Sequence, residues 1–457
     1  MTQTIKQKLN DSKAARWTAL LIVSFTMMCG YFITDVMAPL EDLLTKLPAD
    51  GGLGWTSDEY GFFSGAYGYI NVFLLMLFFG GLILDKMGVR FTGIMSCSLM
   101  LGGTLLKWYA LYANFGEASL FGYPMSVALA ALGFAIFGMG AEIAGITVTK
   151  VIAKWFTGHE LALAMGLQVA MARIGTAAAL ACSVPFANHF GAISAPVLLG
   201  VGLLCIGLIS YIVYCVMDKK FDASCAGADE VAGEDESFHF SDLKVILSNK
   251  GFWLIAILCV LFYSGVFPFL KFAAKLMIYK YGVDPELAGL IPAMLPFGTI
   301  LLTPVFGSLY DRIGKGATLM ISGSLMLTLV HVLFALPILN EWWFAIIVMV
   351  ILGIAFSLVP SAMWPAVPKI IPMKQLGSAY AIIFYIQNIG LSMVPVMIGK
   401  VIQNYAIIET AEGISYDYTL PMTIFAGFGV VSVFVSLLLK RVNKTNNYGL
   451  EEPNIQA

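Results

Sequence analysis

Long apolar runs separated by short polar segments dominate the chain, and this pattern predicts twelve membrane-spanning helices. Each run has at least about 20 residues, which is the length that an α-helix needs to cross the hydrocarbon core of a bilayer. In the first half the runs cover residues 17–40, 60–84, 91–112, 122–152, 161–187 and 192–217. In the second half they cover residues 251–280, 286–310, 317–338, 342–368, 375–403 and 419–440. We therefore expect an all-α, polytopic membrane protein.

The composition agrees with this fold class and excludes several functions. Hydrophobic residues make up 59% of the chain and charged residues 12%, against about 45–50% and 25% in soluble domains. The net charge of −2 and the lack of a basic cluster with interleaved aromatic residues give no indication of a nucleic-acid partner. The seven cysteines contain no C-x-x-C pair and the four histidines no ligand pattern. We therefore expect no disulfide framework, metal or cofactor.

A polar segment in the middle of the sequence divides the chain into two halves. Residues 218–250 are rich in acidic side chains and lack apolar periodicity, which is typical of a solvated linker. The predicted domains are an N-terminal tail (1–16), a six-helix bundle (17–217), the linker (218–250), a second six-helix bundle (251–440) and a C-terminal tail (441–457).

The distribution of basic residues predicts the orientation in the membrane. An even number of spans places both termini on one side, and that side holds all but seven of the 26 lysines and arginines. The seven others are Lys46, Lys107, Arg173, Lys271, Lys275, Lys280 and Lys400. By the positive-inside rule, both termini and the linker are cytoplasmic. We expect the protein in the cell membrane, that is, the plasma or inner membrane.

Glu142 and Arg173 are two charges inside predicted spans, on either side of the polar turn 154–160. They lie equally far from that turn, so a helical hairpin places them at the same depth, near the bilayer midplane. Each unpaired charge costs about 2.5–3.5 kcal/mol at a helix centre. One interpretation is a buried ion pair that fixes helix packing. The other is a divided site, in which the carboxylate binds an amine and the guanidinium binds a carboxylate.

The two halves repeat each other, which indicates a duplication. The segment GLILDKMG (81–88) matches GSLYDRIG (307–314), and Arg173-Ile174-Gly175 matches Asn388-Ile389-Gly390. In the second alignment, the counterparts of Glu142 and Arg173 are Ser357 and Asn388. The charged pair therefore exists in one half only.

The repeated G-x-x-x-D-[KR]-x-G segment resembles the signature loop of the major facilitator superfamily. This resemblance implies two pseudo-symmetric six-helix bundles that rock around a central site. It also implies a gating role for a set of charged residues near the two loops, namely Asp85, Lys86, Arg90, Asp311 and Arg312. The alternative is that these loops only orient the protein through their basic residues.

A narrower resemblance concerns the family of the lysosomal dipeptide uniporter and its bacterial relatives. It is carried by Tyr31-Phe32 with Asp35, WFTGHELALAMGLQVAMARIG (155–175), VFPFL (266–270), and MWPAVPKIIPMKQLGSAY (363–380) with IQNIGLS (386–392). This resemblance implies that Glu142 and Arg173 bind the two termini of a dipeptide. The E-x-x-E-R signature of proton-coupled peptide transporters is absent from the first span, so we expect facilitative uniport.

Further polar and aromatic residues are predicted at a similar depth, where they could line a peptide pocket. They are Tyr31, Tyr263, Ser357, Tyr385 and Asn388. Trp364 is predicted at a shallower level, as a gate residue on the cytoplasmic side, with an ordinary interfacial tryptophan as the alternative. For each of these side chains, plain helix packing is the competing interpretation.

The sequence thus favours an alternating-access transporter of dipeptides or other zwitterions. The main alternative is a proton-coupled symporter or exchanger of organic anions, with Glu142 as the proton carrier. A receptor with the transporter fold is a third hypothesis. No nucleophile–base pair or phosphate loop stands out, so we do not expect an enzyme. We expect a monomer in the lipid bilayer, and the sequence leaves an accessory subunit open.

Overall fold

The protein is built from α-helices arranged in two halves. The computed structural model describes residues 9–156, 159–225, 243–372, 375–410 and 413–453. The first half contains α1 (Lys13–Asp35), α2 (Glu41–Thr45), α3 (Ser57–Gly65), α4 (Tyr69–Phe73), α5 (Met76–Tyr112), α6 (Met125–Phe156), α7 (Leu161–Phe190) and α8 (Ala195–Cys225). The second half contains α9 (Leu243–Ser248), α10 (Lys250–Tyr281), α11 (Leu290–Ile313), α12 (Gly316–Ala335), α13 (Trp342–Ile370), α14 (Leu376–Val401) and α15 (Thr419–Asn446).

The described residues also form two small antiparallel hairpins. They pair β1 (Ser119–Leu120) with β2 (Tyr123–Pro124), and β3 (Ile407–Thr410) with β4 (Gly413–Tyr416). Both hairpins lie in loops on the side of the membrane opposite the chain termini, which we call the opposite side. The side that holds the start of α1 and the end of α15 is called the terminal side.

Local sequence signals set many of the helix ends. Ser12 caps the start of α1 by accepting from the backbone N–H of Ala15, and Asn249 caps α10 through Gly251 and Phe252. Thr56 and Glu59 form a capping box at the start of α3. These contacts replace the backbone partners that the first turn of a helix lacks.

The predicted second span is not one continuous helix. Among the described residues, eleven helices are long and apolar enough to cross a membrane, because the run 60–84 is divided between α3, a 3-10 turn at Ala66–Gly68, α4 and the start of α5. Leu75, with a φ of 52° in the left-handed region, precedes the first residue of α5. The rest of the second span continues into the third across Gly88, whose φ is 73°. Gly314, the matching residue in the repeated loop, has a φ of 65°. Both loops therefore need glycine at this position.

The domain boundaries also differ from the predicted ones. The linker was expected to begin at Asp218, but α8 continues to Cys225. Asp218 is fully buried, and it accepts hydrogen bonds from Lys154, Trp155 and Tyr214, so this acidic residue anchors α8 against α6. The acidic part of the linker, residues 226–242, lies outside the described residues.

Both predicted tails are shorter than expected, because their inner ends belong to the folded bundles. Helix α1 begins at Lys13, inside the expected N-terminal tail. Helix α15 runs to Asn446, and the segment after it packs on the second half through the buried Leu450, whose carbonyl accepts from Gly316.

The packing reflects the predicted duplication. Helix α7 packs on α1 and α14 packs on α10. A Cβ atom on Gly175 would lie 2.2 Å from the carbonyl oxygen of Met28, and one on Gly390 would lie 2.3 Å from Oγ of Ser264. The glycine of each repeated R/N-I-G segment therefore permits the close approach of the first helix of its own half.

The two halves contact each other mainly on the opposite side. Helix α3 packs against α14, and α7 packs against α11. A Cβ atom on Gly65 would lie 2.3 Å from the carbonyl oxygen of Ser392, and one on Gly289 would lie 1.9 Å from that of Leu180. These inter-half contacts bring backbone directly onto backbone, so they close the opposite side tightly.

Candidate functional site

Glu142 lies in the middle of α6 and is positioned by the broken second span. Its Oε1 accepts a hydrogen bond of 2.9 Å from the phenol of Tyr67. Gly138 lies one turn before Glu142, and a Cβ atom there would be 2.0 Å from the carbonyl oxygen of Tyr67. The glycine therefore lets the backbone of the 3-10 turn approach α6 closely enough for Tyr67 to reach the carboxylate.

A small cavity of about 70 Å³ lies beside this carboxylate. Its lining residues come from α1, the broken span, α5 and α6, and they are Met27, Gly30, Tyr31, Thr34, Tyr67, Met100, Ala141, Glu142 and Gly145. All of them belong to the first half of the chain. The cavity therefore combines one acidic group with hydroxyl and apolar walls, a combination suited to a small cationic group.

Arg173, on α7, faces aromatic rings of both halves. Its Cζ atom lies 5.9 Å from the ring centre of Tyr31, 5.5 Å from that of Phe267 and 5.3 Å from that of Phe356. These distances are typical of cation–π contacts. The guanidinium therefore lies where α7 meets α1, α10 and α13, at the centre of the molecule.

Glu142 and Arg173 do not form an ion pair. Among the residues that the structure describes, no carboxylate lies within 4.0 Å of the Arg173 guanidinium, and its side chain makes no hydrogen bond there. Tyr31 links the two charges, because it lines the cavity of Glu142 and also lies under Arg173. The sequence left a buried ion pair and a divided site as alternatives, and in this structure the two charges lie apart.

Aromatic side chains of the second half continue from Arg173 toward the terminal side. Phe356 packs against Phe267 and Tyr263, with ring centres 5.2 and 5.6 Å apart. Trp364 donates a hydrogen bond of 3.1 Å to the Tyr263 hydroxyl and stacks on Phe384 at 5.0 Å. Tyr263 and Trp364 thus belong to one aromatic wall, although the sequence predicted Trp364 at a shallower level.

Three other predicted residues lie apart from the cavity. Ser357 is fully buried and donates to the carbonyl of Gly353 in its own helix, so it does not reach a substrate space in this structure. Asn388 is also buried and donates to Phe384, one turn earlier. Tyr385 donates to the carbonyl of Val72 on α4, which makes it an inter-half contact.

Two of the predicted gating residues, Asp85 and Arg90, make ion pairs within the first half. Asp85 pairs with Lys150 at 2.6 Å, and Arg90 pairs with Asp218 and Asp222 of α8. Lys86 and Arg312 are exposed. Asp311 lies partly buried at the end of α11. The contacts of Asp85 and Arg90 hold helices of one half together and do not join the two halves.

The ion pairs between the halves lie on the opposite side. Lys271 of α10 binds Asp35 of α1 at 2.6 Å, and Lys275 lies 3.7 Å from Glu41 of α2. Asn188 of α7 donates to Glu286, which precedes α11, at 2.7 Å. These contacts reinforce the glycine-mediated packing, so the halves are joined on this side.

Several residues of the site escaped the sequence interpretation. Tyr67 was missed because its role depends on the break in the second span, which hydropathy does not reveal. Phe267 lies within the segment 266–270 that carried the family resemblance, and Phe356 precedes Ser357. From the sequence, Lys271 and Lys275 were identified only as basic residues outside the predicted cytoplasmic segments. Their spacing of four residues, on one face of α10, was the available signal.

Comparison with known proteins shows similarity to membrane transporters. The protein named "Lysosomal dipeptide transporter MFSD1" of Homo sapiens is 28% identical over 404 residues, covering 86% of this chain and 81% of that protein. The protein of the same name from Bos taurus is 27% identical over 402 residues, covering 85% and 80%. These relatives are named as transporters, in agreement with the expectation that the chain is not an enzyme.

The fold and the family follow from two further comparisons. The crystal structure of nucleoside transporter NupG aligns with a TM-score of 0.69 and 16% sequence identity, over 93% of this chain and 98% of that one. The family model of the Major Facilitator Superfamily matches residues 11–395 of the sequence. That match spans most of the chain, including both repeated loops and both charges of the candidate site. This multi-pass membrane protein therefore belongs to the Major Facilitator Superfamily.

Proposed function

We propose that the protein transports dipeptides by alternating access, with Glu142 binding the amino terminus and Arg173 the carboxylate. The observation that carries this proposal is the separation of the two charges. Each faces open space or aromatic rings, and neither neutralises the other. A zwitterion placed between them would satisfy both charges at once.

The surroundings of each charge support these roles. The cavity beside Glu142 offers hydroxyls from Tyr31, Thr34 and Tyr67, which can accept the remaining protons of an ammonium group. The Arg173 side chain makes no hydrogen bond to the described residues, and its Cζ lies 5.5 and 5.3 Å from the ring centres of Phe267 and Phe356, so its donors can bind a substrate carboxylate in a bidentate manner. The names of the similar proteins from Homo sapiens and Bos taurus agree with this substrate class.

The contacts between the halves support alternating access. The ion pair Asp35–Lys271, the contact between Glu41 and Lys275 and the glycine contacts join the halves on the opposite side. On the terminal side, the ion pairs of Asp85 and Arg90 stay within the first half. This arrangement fits a carrier whose opposite side is closed. Basic residues favour a cytoplasmic terminal side and a place in the cell membrane.

Facilitative uniport is the favoured mode of transport. Asp35, the acidic residue within the first span, is paired with Lys271, and the chain lacks the E-x-x-E-R signature there. A monomer suffices for this mechanism, since both charges and both gates belong to one chain.

Ligand-induced thermal stabilisation of the purified protein tests the divided site. The compounds are Gly-Gly, the same dipeptide blocked at either end, glycine and a dicarboxylate. A ligand at 100 times its Kd raises the free energy of unfolding by about 2.7 kcal/mol. We expect stabilisation by Gly-Gly that is lost when either end is blocked. Stabilisation by the dicarboxylate alone would refute the proposal and favour an organic-anion carrier.

A further inference from the structure

Asn71 is a fully buried amide on the short helix α4. Its exposed fraction is 0%, and neither Oδ1 nor Nδ2 has a hydrogen-bond partner among the residues that the structure describes. Leaving a buried polar group without a partner is costly, and lipid provides none. An amide at this position therefore requires a partner at some stage of the working cycle.

The location of Asn71 connects it to the candidate site. Helix α4 lies between the 3-10 turn at Ala66–Gly68 and the left-handed Leu75. It packs against α6, which carries Glu142, and against α14. Asn71 follows Tyr67 by four residues, about one helical turn, and Tyr67 binds Glu142. Asn71 therefore lies next to the site, one turn toward the terminal side.

A second buried amide, Asn388, lies on the helix of the other half that packs against this region. Asn388 is 1% exposed, and its Oδ1 also lacks a partner among the described residues. A Cβ atom on Gly68 would lie 3.3 Å from the carbonyl oxygen of Asn388, and Tyr385 bonds the carbonyl of Val72 at 3.2 Å. The broken span and α14 therefore meet at the level of the two amides.

We propose that Asn71 is a specificity-determining residue that binds the peptide unit of the substrate, with Asn388 as its counterpart in the other half. The inference rests on the dipeptide function proposed above. A peptide unit presents one N–H and one C=O, and an amide side chain presents the complementary acceptor and donors. The two charges alone cannot distinguish a dipeptide from an ω-amino acid of the same length. A third contact, at the peptide unit, supplies that distinction.

The position of the amides within an inter-half contact explains when they act. Opening of the opposite side separates α4 from α14, and both amides then face the incoming substrate. Closure over a dipeptide gives them partners, whereas closure over an empty site, or over a chain of methylene groups, leaves them buried and unpaired. Unpaired polar groups in a closed site are what reject an analogue that lacks the matching group.

The test compares Gly-Gly with 5-aminopentanoate, which has the same number of atoms between its amine and its carboxylate but no peptide unit. We measure kcat/KM for both compounds in proteoliposomes. The proteins are wild type, Asn71→Ala, and Asn71→Ser, which keeps one hydrogen-bonding group and serves if the alanine variant folds poorly. Tyr281→Phe is the control. Like Asn71, Tyr281 has a buried polar group without a hydrogen-bond partner among the described residues, but it lies at the far end of α10.

We expect wild type to prefer Gly-Gly, and Asn71→Ala to reduce that preference about tenfold. Asn71→Ser should give an intermediate value, and Tyr281→Phe the wild-type ratio. A parallel loss of both activities, or an unchanged ratio, would show that Asn71 only supports the fold. Equal transport of both compounds by wild type would overturn the inference while leaving the two-charge site intact. Transport of neither would refute the dipeptide function itself.

Discussion

The phenol of Tyr67 donates a hydrogen bond of 2.9 Å to Oε1 of Glu142, so a break in one span orients the acidic group of another. Hydrogen bonds to charged acceptors contribute about 1.5–3 kcal/mol. We therefore expect Tyr67→Phe to raise KM for dipeptides about tenfold or more, measured by uptake into proteoliposomes.

The control for this prediction is Tyr69→Phe. Tyr69 lies two residues away and donates to the carbonyl of Phe62, outside the cavity. Its variant should keep the wild-type KM. If Tyr67→Phe also kept the wild-type KM, then either Glu142 does not need the hydrogen bond from Tyr67 to bind the substrate, or Glu142 does not bind the substrate.

The separation of Glu142 from Arg173 predicts that binding and stability respond differently to their removal. Breaking a buried ion pair costs about 3–5 kcal/mol, but these two residues are not paired with each other. We expect Glu142→Gln and Arg173→Ala to lose stabilisation by dipeptides while the Tm of the free protein changes little. Both quantities come from one thermal unfolding experiment, with and without ligand.

Lys271→Ala provides the contrasting case in the same experiment. Lys271 binds Asp35 at 2.6 Å, and both side chains are largely buried. Its removal leaves Asp35 uncompensated, so the Tm of the free protein should fall clearly. If Arg173→Ala lowered the Tm as much as Lys271→Ala, Arg173 would have a structural role and the divided site would lose its support.

A substitution at Gly65 should hold the protein in a state whose opposite side is open. A Cβ atom at this position would lie 2.3 Å from the carbonyl oxygen of Ser392, and backbone cannot yield as a flexible side chain can. Gly65→Ala should therefore prevent closure and slow transport. The measurement is the distance between spin labels at Leu47 and Leu287, two exposed residues on the opposite side, in a cysteine-free background.

Gly202→Ala is the matched control for Gly65→Ala. A Cβ atom on Gly202 meets nothing within 4 Å, so the added methyl group should leave both the label distance and the transport rate unchanged. A wild-type distance distribution in Gly65→Ala would show that the contact between α3 and α14 tolerates the methyl group, contrary to the prediction.

Glu41 makes closure of the opposite side sensitive to pH. Burial raises the pKa of Glu41 from 4.5 to about 8, although Lys275 opposes this shift and neighbouring Asp42 adds to it. Since the closed state prefers the protonated carboxyl, closure should lose stability as pH rises from about 4.5 to about 8, and change little above that. The same pair of spin labels, followed between pH 4.5 and 9, should report more open protein at the higher pH.

Glu41→Gln tests the origin of this pH response. A glutamine mimics the protonated carboxyl, so the variant should remain closed across the range, with Asp42, Lys46 and Lys275 still in place. A response as large as in wild type would assign the titration to another group on this side of the protein.

Hydropathy and charge placed most of the architecture before any coordinates were known. The apolar runs predicted the long helices α6, α10, α13 and α14 within a few residues, because lipid requires long helices that satisfy their own backbone. The repeated loops predicted two related halves, and the glycine that ends each loop does take the left-handed conformation. Glu142 and Arg173 stood out because charges in an apolar span are costly.

The tertiary structure decided how these parts work together. Hydropathy does not reveal the break between α3 and α5, because the broken segments remain apolar. This break places the phenol of Tyr67 within hydrogen-bond distance of Glu142. Whether Glu142 and Arg173 pair depends on the rotation of α6 and α7 about their axes, which follows from packing against other helices. Likewise, Asp218 anchors α8 and does not begin the linker, because it meets buried partners from α6. The sequence by itself determined which stretches form long apolar helices, because their hydropathy is local, and long-range packing determined which side chains meet.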